Sequence, residues 1–402
     1  MGKKLNLGNL YIAFWMIALA LGAIYSSRFT GLLRLIALII SAYYVVYANV
    51  KYKLPKFFTY LNLLLVMFTI YGLWYIINGD VYLIGGERYV KKSSYLVSIY
   101  SSLLPIYAFY VLTRQGWIKE SNLRFWIVVF FLVAYIEFYT QGLWWIAEAE
   151  KTGASLDNIR NNAGYLFVAL IPCIVFYYDK PFLQFIAIGF VIVMLFTGLK
   201  RGAILIGIIA ISILVWHIVR GKESKLRSSR GQIAIKILLI ASLVIGFYYI
   251  NNLTNQDAFN NRWEQTLEGD SSGRERITSG IINHIKNNAT PIQLIFGSGA
   301  RASVKYIGTE AHNDWLEIAM AQGFVGVLLF LLYWIAFFKS YKKANKQSPE
   351  PERLALGLAF IICFTRTFFS MSYNTIPIYT TCILGYCLAR LSIDEMSDMS
   401  FV

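Results

Sequence analysis

The chain has 402 residues, 57% of them hydrophobic and only 15% charged, a balance that excludes a soluble globular protein of this length. The net charge of +15 would suit nucleic acid, but the basic residues gather in short loops on one side of the apolar runs, so the charge is mostly topological and argues against a nucleic-acid partner. Cys173, Cys363, Cys382 and Cys387 all lie inside apolar runs without the spacing of a zinc site and read as small core hydrophobes.

The expected fold class is all-α: a polytopic integral membrane protein of about twelve transmembrane helices with one large extracytoplasmic loop. The predicted spans are 8–24, 31–49, 57–77, 95–112, 125–146, 164–178, 182–197, 203–219, 234–250, 316–338, 354–369 and 376–389. Several are short for a full crossing and read as tilted, broken or partly re-entrant. Met1-Gly2-Lys3-Lys4 precedes the first run without a small-residue cleavage pattern, so that run is expected to stay as a span. The chain divides into helices over 1–250, the large loop with an amphipathic helix over 251–311, and the last helices over 312–402.

Orientation follows from lysine and arginine. Lys51, Lys53, Lys56, Arg114, Lys119, Arg124, Lys180, the cluster 220–236, and Lys339, Lys342, Lys343 and Lys346 fall on the side of both termini, which is therefore expected to be cytoplasmic. The opposite loops carry Arg88 in Gly85-Gly86-Glu87-Arg88, Arg160 in Asn158-Ile159-Arg160-Asn161-Asn162, and Lys200-Arg201 between Gly198-Leu199 and Gly202. Positive charge there runs against the insertion bias, and an anionic ligand is the simplest reason for it. For Lys200 and Arg201 two readings stand: snorkelling interfacial cations, or guanidinium and ammonium groups holding a diphosphate. Arg366, inside a span, is either a functional cation or the partner of a buried acid.

In the long loop, Ser272-Gly273-Arg274-Glu275 fits a capping box, and Ile277, Ile281, Ile282 and Ile285 recur at helical spacing. This predicts an amphipathic helix lying on the membrane domain, with Arg274 in a first turn that already favours anions. Gly297-Ser298-Gly299 predicts a tight turn. The loop ends in Glu310-Ala311-His312-Asn313-Asp314-Trp315, which places an imidazole where a polar segment meets a membrane-length run. Asn313 or Asp314 is positioned to set which ring nitrogen carries the proton. Gly323 and Gly326 predict a small-residue face for another helix to approach. His217 and His284 read as ordinary interfacial or surface residues. A possible base beside cations suited to phosphate fits group transfer from a lipid-linked diphosphate, with the histidine taking the proton of an attacking hydroxyl.

These residues resemble the bacterial O-antigen ligase and O-antigen polymerase superfamily. His312-Asn313, nine residues, Gly323, two residues and Gly326 match its H-[NSQ]-x9-G-x2-[GTY] signature, and residues 197–202 look like its T-G-S-R-G segment, departing at Leu199-Lys200. Arg274 and the Gly297-Ser298-Gly299 turn fall where the family has a loop arginine and a glycine-rich turn. The resemblance covers mainly 197–338. It implies a GT-C-like, metal-independent, inverting glycosyltransferase in the bacterial inner membrane, working on its periplasmic side without a cofactor. The implied donor is a glycan on undecaprenyl diphosphate; the acceptor is lipid A-core, a growing glycan chain or another glycan acceptor, amid membrane lipids. His312, Arg201 and Arg274 become the expected catalytic residues, and Lys200, Arg160, Asn313, Asp314, Arg88 and Arg366 the substrate-binding ones. Ligase, polymerase and protein O-oligosaccharyltransferase activities differ in an acceptor pocket that has no short motif. A transporter or flippase for lipid-linked glycans is the rival class, disfavoured by the absence of repeats and of a charge ladder through several spans.

Overall fold

A computed structural model describes residues 6–24, 28–79, 83–84, 88–89, 91–142, 163–198, 200–220, 274–347 and 349–399. Arg160, Gly85 to Glu87, Leu199, Ser272-Gly273 of the expected capping box, the predicted span 234–250 and nearly all of the basic cluster 220–236 lie outside the described residues.

The protein is helical and carries seven helices, among the described residues, that are long and apolar enough to cross a membrane: Leu7–Ile24, Phe29–Lys51, Lys56–Asn78, Ser94–Arg114, Glu120–Thr140, Arg201–Val219 and Asp314–Ala344. Gly164–Tyr177, Pro181–Thr197 and Ile378–Ile393 are apolar but shorter. Prolines and tight turns account for part of the shortening. Pro172 lies inside Ala163–Ile174, which then tightens into the 3-10 turn Val175–Tyr177. Ser94–Leu103 and Pro105–Arg114 meet at Leu104, where proline brings no N–H to the ladder. Among the described residues the only strands form a minimal antiparallel hairpin, Leu83–Ile84 against Arg88–Tyr89, with Ile84 opposite Arg88. The sequence reading had no strand in this glycine-containing loop.

Two compact units divide the chain. The first comprises Met1–Ala37, Leu112–Asp270 and Pro349–Ile362. In it Leu7–Ile24 packs on Glu120–Glu137, and Ala163–Ile174, Pro181–Thr197 and Arg201–Arg220 pack on one another. Trp126 Nε1 donates to Asn9 Oδ1 at 2.9 Å, tying the first pair together. Arg124 bridges Glu120 at 2.6 Å and Asp179 at 2.8 Å. His217 pairs with Glu350 at the ends of their helices.

The second unit comprises Leu38–Val111, Ser271–Ser348 and Cys363–Val402. Its axis is Asp314–Gln347, which packs along Lys56–Asn78 and against Ile378–Met399 and the loop helices Arg274–Asn287, Pro291–Phe296 and Ala302–Ile307. Phe57 lies 5.1 Å from Tyr333 and 5.3 Å from Phe337, and Phe58 4.8 Å from Tyr107, giving this unit an aromatic core. All four cysteines are free and buried, as their apolar surroundings in the sequence imply.

The expected amphipathic helix exists as Arg274–Asn287, with one adjustment. Ile281 is fully buried with Ala302, Ala311, Met320 and Ala321, and Ile277 and Ile285 pack on that cluster. Ile282 points outward and is exposed, because an i, i+4, i+8 stripe already fills the contact face.

Candidate functional site: a clamped histidine turn

His312 and Arg301 are the two non-glycine residues at positive φ among the described residues, at 51° and 60°. Side chains rarely adopt this conformation, which costs a β-carbon-bearing residue about 1–2 kcal/mol, so the surrounding contacts must hold it in place. Three clamps surround His312. Before it, the Ala311 N–H donates to the buried Glu317 carboxylate at 3.2 Å, and Ser303 Oγ donates to the same oxygen. After it, Asn313 caps the long helix: its Oδ1 accepts from the Leu316 N–H at 3.2 Å while its carbonyl accepts from the Glu317 N–H at 3.0 Å.

The third clamp is Asp314. Its N–H donates to the Thr367 carbonyl at 2.8 Å, and its carboxylate accepts from the Ser372 N–H at 2.7 Å and from Ser372 Oγ. Trp315 Nε1 donates to Thr367 Oγ1 at 2.9 Å, and its ring stacks on Phe368. The chain on both sides of His312 is thus pinned, while the imidazole itself is exposed. Such an arrangement presents a base to a ligand without letting the backbone relax.

Asn313 and Asp314, expected to face substrate or to fix the imidazole tautomer, have other duties here. Asp314 is fully buried and engaged by Ser372, and the Asn313 amide is engaged by the helix it caps. Arg366 is buried and donates to the Thr375 carbonyl at 3.1 Å and to Thr375 Oγ1 at 2.7 Å. Arg366 therefore braces the loop that braces Asp314.

Arg274 opens the helix Arg274–Asn287 and is half-buried. Seven residues on, Ile281 shares a cluster with Ala311, so this helix is seated on the residue preceding the histidine. Arg201 opens its own helix, Arg201–Arg220, in the first unit. Gly198 ends the preceding helix, and an added β-carbon at Gly164 would lie 3.0 Å from Ala203 Cβ and 3.3 Å from Lys200 Cβ. Gly198 thus serves close packing, since a β-carbon on it would lie 3.2 Å from the Met194 carbonyl oxygen and 3.4 Å from Gly164 N. Arg88 sits in the second strand of the hairpin.

The expected close approach of another helix holds at Gly323 and not at Gly326. Gly323 is non-helical, at φ 64° and ψ −159°, and kinks the long helix. What approaches it is the end of Pro291–Phe296: a β-carbon on Gly323 would lie 2.5 Å from Gly297 N, and one on Gly297, at φ 79°, 2.3 Å from the Ala321 carbonyl. The Ser298 and Gly299 N–H groups then donate to the Met320 and Ala321 carbonyls that the kink frees, at 2.8 and 3.0 Å. A β-carbon at Gly326 would meet Gln322 and Ile318 of its own helix instead.

Sequence reading passed over Arg301, Glu310 and Glu317. The Arg301 guanidinium, largely buried, contacts Glu310 at 3.2 Å and Ser94 Oγ at 3.4 Å. The signal was there in part: Arg301 and Glu310, with Lys305, are the charged residues between the glycine turn and His312. Their pairing across nine residues needed the helix Ala302–Ile307 between them. Among the described residues, no group of three or more His, Cys, Asp or Glu side chains is placed to hold a metal ion.

A helical, multi-pass membrane protein that exposes one clamped histidine between a docked loop helix and a long kinked span is the class these elements define. Residues 185–331 match the family model described as O-Antigen ligase. The match spans Arg201–Arg220, the loop helices and the histidine turn and covers less than half of the chain, so the likeness to that family is one over this stretch. No curated protein matches the chain.

Proposed function

We propose that the protein is an inverting glycosyltransferase that moves a glycan from undecaprenyl diphosphate to an acceptor hydroxyl at the periplasmic face of the bacterial inner membrane, without metal or cofactor. The observation that carries this reading is the turn at His312, where three sets of hydrogen bonds hold an exposed imidazole in an unfavourable backbone conformation. His312 takes the proton of the acceptor hydroxyl as its oxygen attacks the anomeric carbon. The bond from that carbon to the diphosphate oxygen breaks, and the diphosphate leaves carrying the developing charge. Arg274 stabilises that charge from the first turn of a helix, where free N–H groups add to the guanidinium. Arg201 takes the same role in this reading, with Lys200, Arg88 and Arg160 as further contacts to the anionic donor. Asn313, Asp314 and Arg366 act through the turn: they position His312.

Reconstitution with an undecaprenyl-diphosphate oligosaccharide and two acceptors, lipid A-core and a second copy of the donor, tests the reading. Longer lipid-linked chains identify a polymerase and glycan-capped lipid A a ligase. No transfer to either acceptor, or to an acceptor protein, would overturn it.

A further inference from the structure

We propose that the short loop helix Pro291–Phe296 dips into the bilayer as a re-entrant anchor. Its partner is the acyl chains of the outer leaflet, the one remote from the lysine-bearing helix ends at Lys56 and Lys339. The inference goes beyond the proposed chemistry and does not rest on it.

The sequence places Ile292, Leu294, Ile295 and Phe296 in a loop read as lying outside the membrane. In water such a helix would turn its apolar side chains onto the protein. None of its residues is buried; Ile292 is 72% exposed and Phe296 53%. At about 100° per residue the four apolar side chains surround the helix except on the side of Gln293. A helix apolar nearly all round belongs in a core or in hydrocarbon. This apolar surface continues without a break onto two spans. Phe324, 65% exposed beside the kink, heads the exposed stripe Phe324, Leu328, Leu331 and Ile335 down the long helix, and Ile70, Trp74 and Ile77 are exposed on Lys56–Asn78. Such stripes at helical spacing are the lipid faces of the spans.

Depth follows from the same two spans. The Tyr71 hydroxyl donates to the Phe296 carbonyl, and Gly297 lies against the kink at Gly323. At the far end of these spans Phe57 packs on Phe337 at 5.3 Å, which sets Lys56 and Lys339 at one level. From Lys56 to Tyr71 is about 15 residues, and from Lys339 back to Phe324 again about 15. At ~1.5 Å per residue each path rises roughly 22 Å, short of the ~30 Å of hydrocarbon. Two helices running in opposite directions therefore agree that Phe296 lies inside the outer leaflet. Trp74, 67% exposed and about one turn farther out than Tyr71, stands where an interfacial aromatic belongs.

The backbone is built for that depth, where no water is at hand for an N–H or a carbonyl. Thr290 and Gln293 form a reciprocal capping box, and Pro291 brings no N–H. The Leu294 and Gly297 N–H groups donate to the Thr290 and Gln293 carbonyls at 2.9 and 2.7 Å. The Met320 and Ala321 carbonyls freed by the kink receive the Ser298 and Gly299 N–H groups. A helix broken within hydrocarbon needs donors from protein, and the loop brings them by entering to the same level.

The test uses the full chain in phosphatidylcholine vesicles. With the unsubstituted protein, a phosphatidylcholine carrying a diazirine in mid-chain is expected on photolysis to label peptide 291–296 as well as 324–335. Nitroxides then report the surroundings of single exposed side chains. On Ile292→Cys or Ile295→Cys the probe should collide several-fold more often with oxygen than with a water-soluble nickel chelate, as on Leu328→Cys. On Ser279→Cys, an exposed polar position of the neighbouring loop helix, the order should reverse. The native cysteines are buried, and the unsubstituted chain gives the background. More nickel than oxygen contact at Ile292 puts the helix in water. Little contact with either means that protein covers it, from elsewhere in this chain or from a second copy. Each of these overturns the inference, as does photolabel on 324–335 without any on 291–296. Neither readout requires glycan transfer.

Discussion

The histidine turn and the Lys200-Arg201 segment look alike as strings: each sets a cation or imidazole beside glycines at the edge of an apolar run. Folded, they differ in kind. At Lys200-Arg201 one helix ends at Gly198 and the next begins at Arg201, every described residue there keeps ordinary backbone geometry, and Gly198 lies close against Gly164. At His312 the backbone is forced into the left-handed region, and buried acids, a cap and a distant loop hold it there. A glycine-bearing motif can thus mark either helix packing or a strained presentation. The difference lies in which hydrogen bonds reach the segment from far along the chain.

The comparison breaks most sharply at the imidazole. His312→Ala is expected to lower transfer about 10²–10⁴-fold, the usual contribution of a general base. His312→Asn should be as inactive while melting like the wild type, since asparagine tolerates positive φ. Measured transfer in the Asn variant above one tenth of the wild-type rate would remove the base.

Next comes the clamp. Asp314→Ala leaves the buried Ser372 N–H and Oγ without their acceptor, so it should destabilise the second unit by about 1–3 kcal/mol in chemical denaturation. Transfer should fall although Asp314 touches no substrate. Gly297→Ala forces a β-carbon to 2.3 Å from a backbone carbonyl at φ 79° and is expected to cost ~2 kcal/mol or more. Gly198→Ala, at an ordinary φ with its nearest contact at 3.2 Å, should cost under about 1 kcal/mol. Similar melting of the two glycine variants would erase the distinction drawn between the segments.

The smallest effect belongs to Asp179. Burial pushes its carboxyl up, but the hydrogen bonding and charge of Arg124, with a backbone hydrogen bond and the Lys180 charge, together outweigh that and hold it below the usual range. A depressed carboxyl contributes stability above its unfolded pKa and loses it as pH falls through the folded value. The group is 42% exposed, so screening limits the contribution to about 0.5 kcal/mol. Asp179→Asn should melt slightly below the wild type at neutral pH and level with it in acid.

Local pattern carried far into this fold. Apolar runs marked helices, the isoleucine spacing marked the docked loop helix, and the spacing from His312 to Gly323 and Gly326 pointed to the family that the match over 185–331 supports. These are properties of neighbouring residues, with a period set by one helix and an energy set by one side chain's dislike of water. Tertiary structure alone decided the rest: that Asp314 is a buried clamp, that Arg366 braces it, that Arg301 pairs with Glu310, that Gly323 breaks its helix, and that His284 is buried against Tyr306. Each depends on residues brought together by packing, and a polar group's role follows from the partner that pays its desolvation, which no local stretch of sequence identifies.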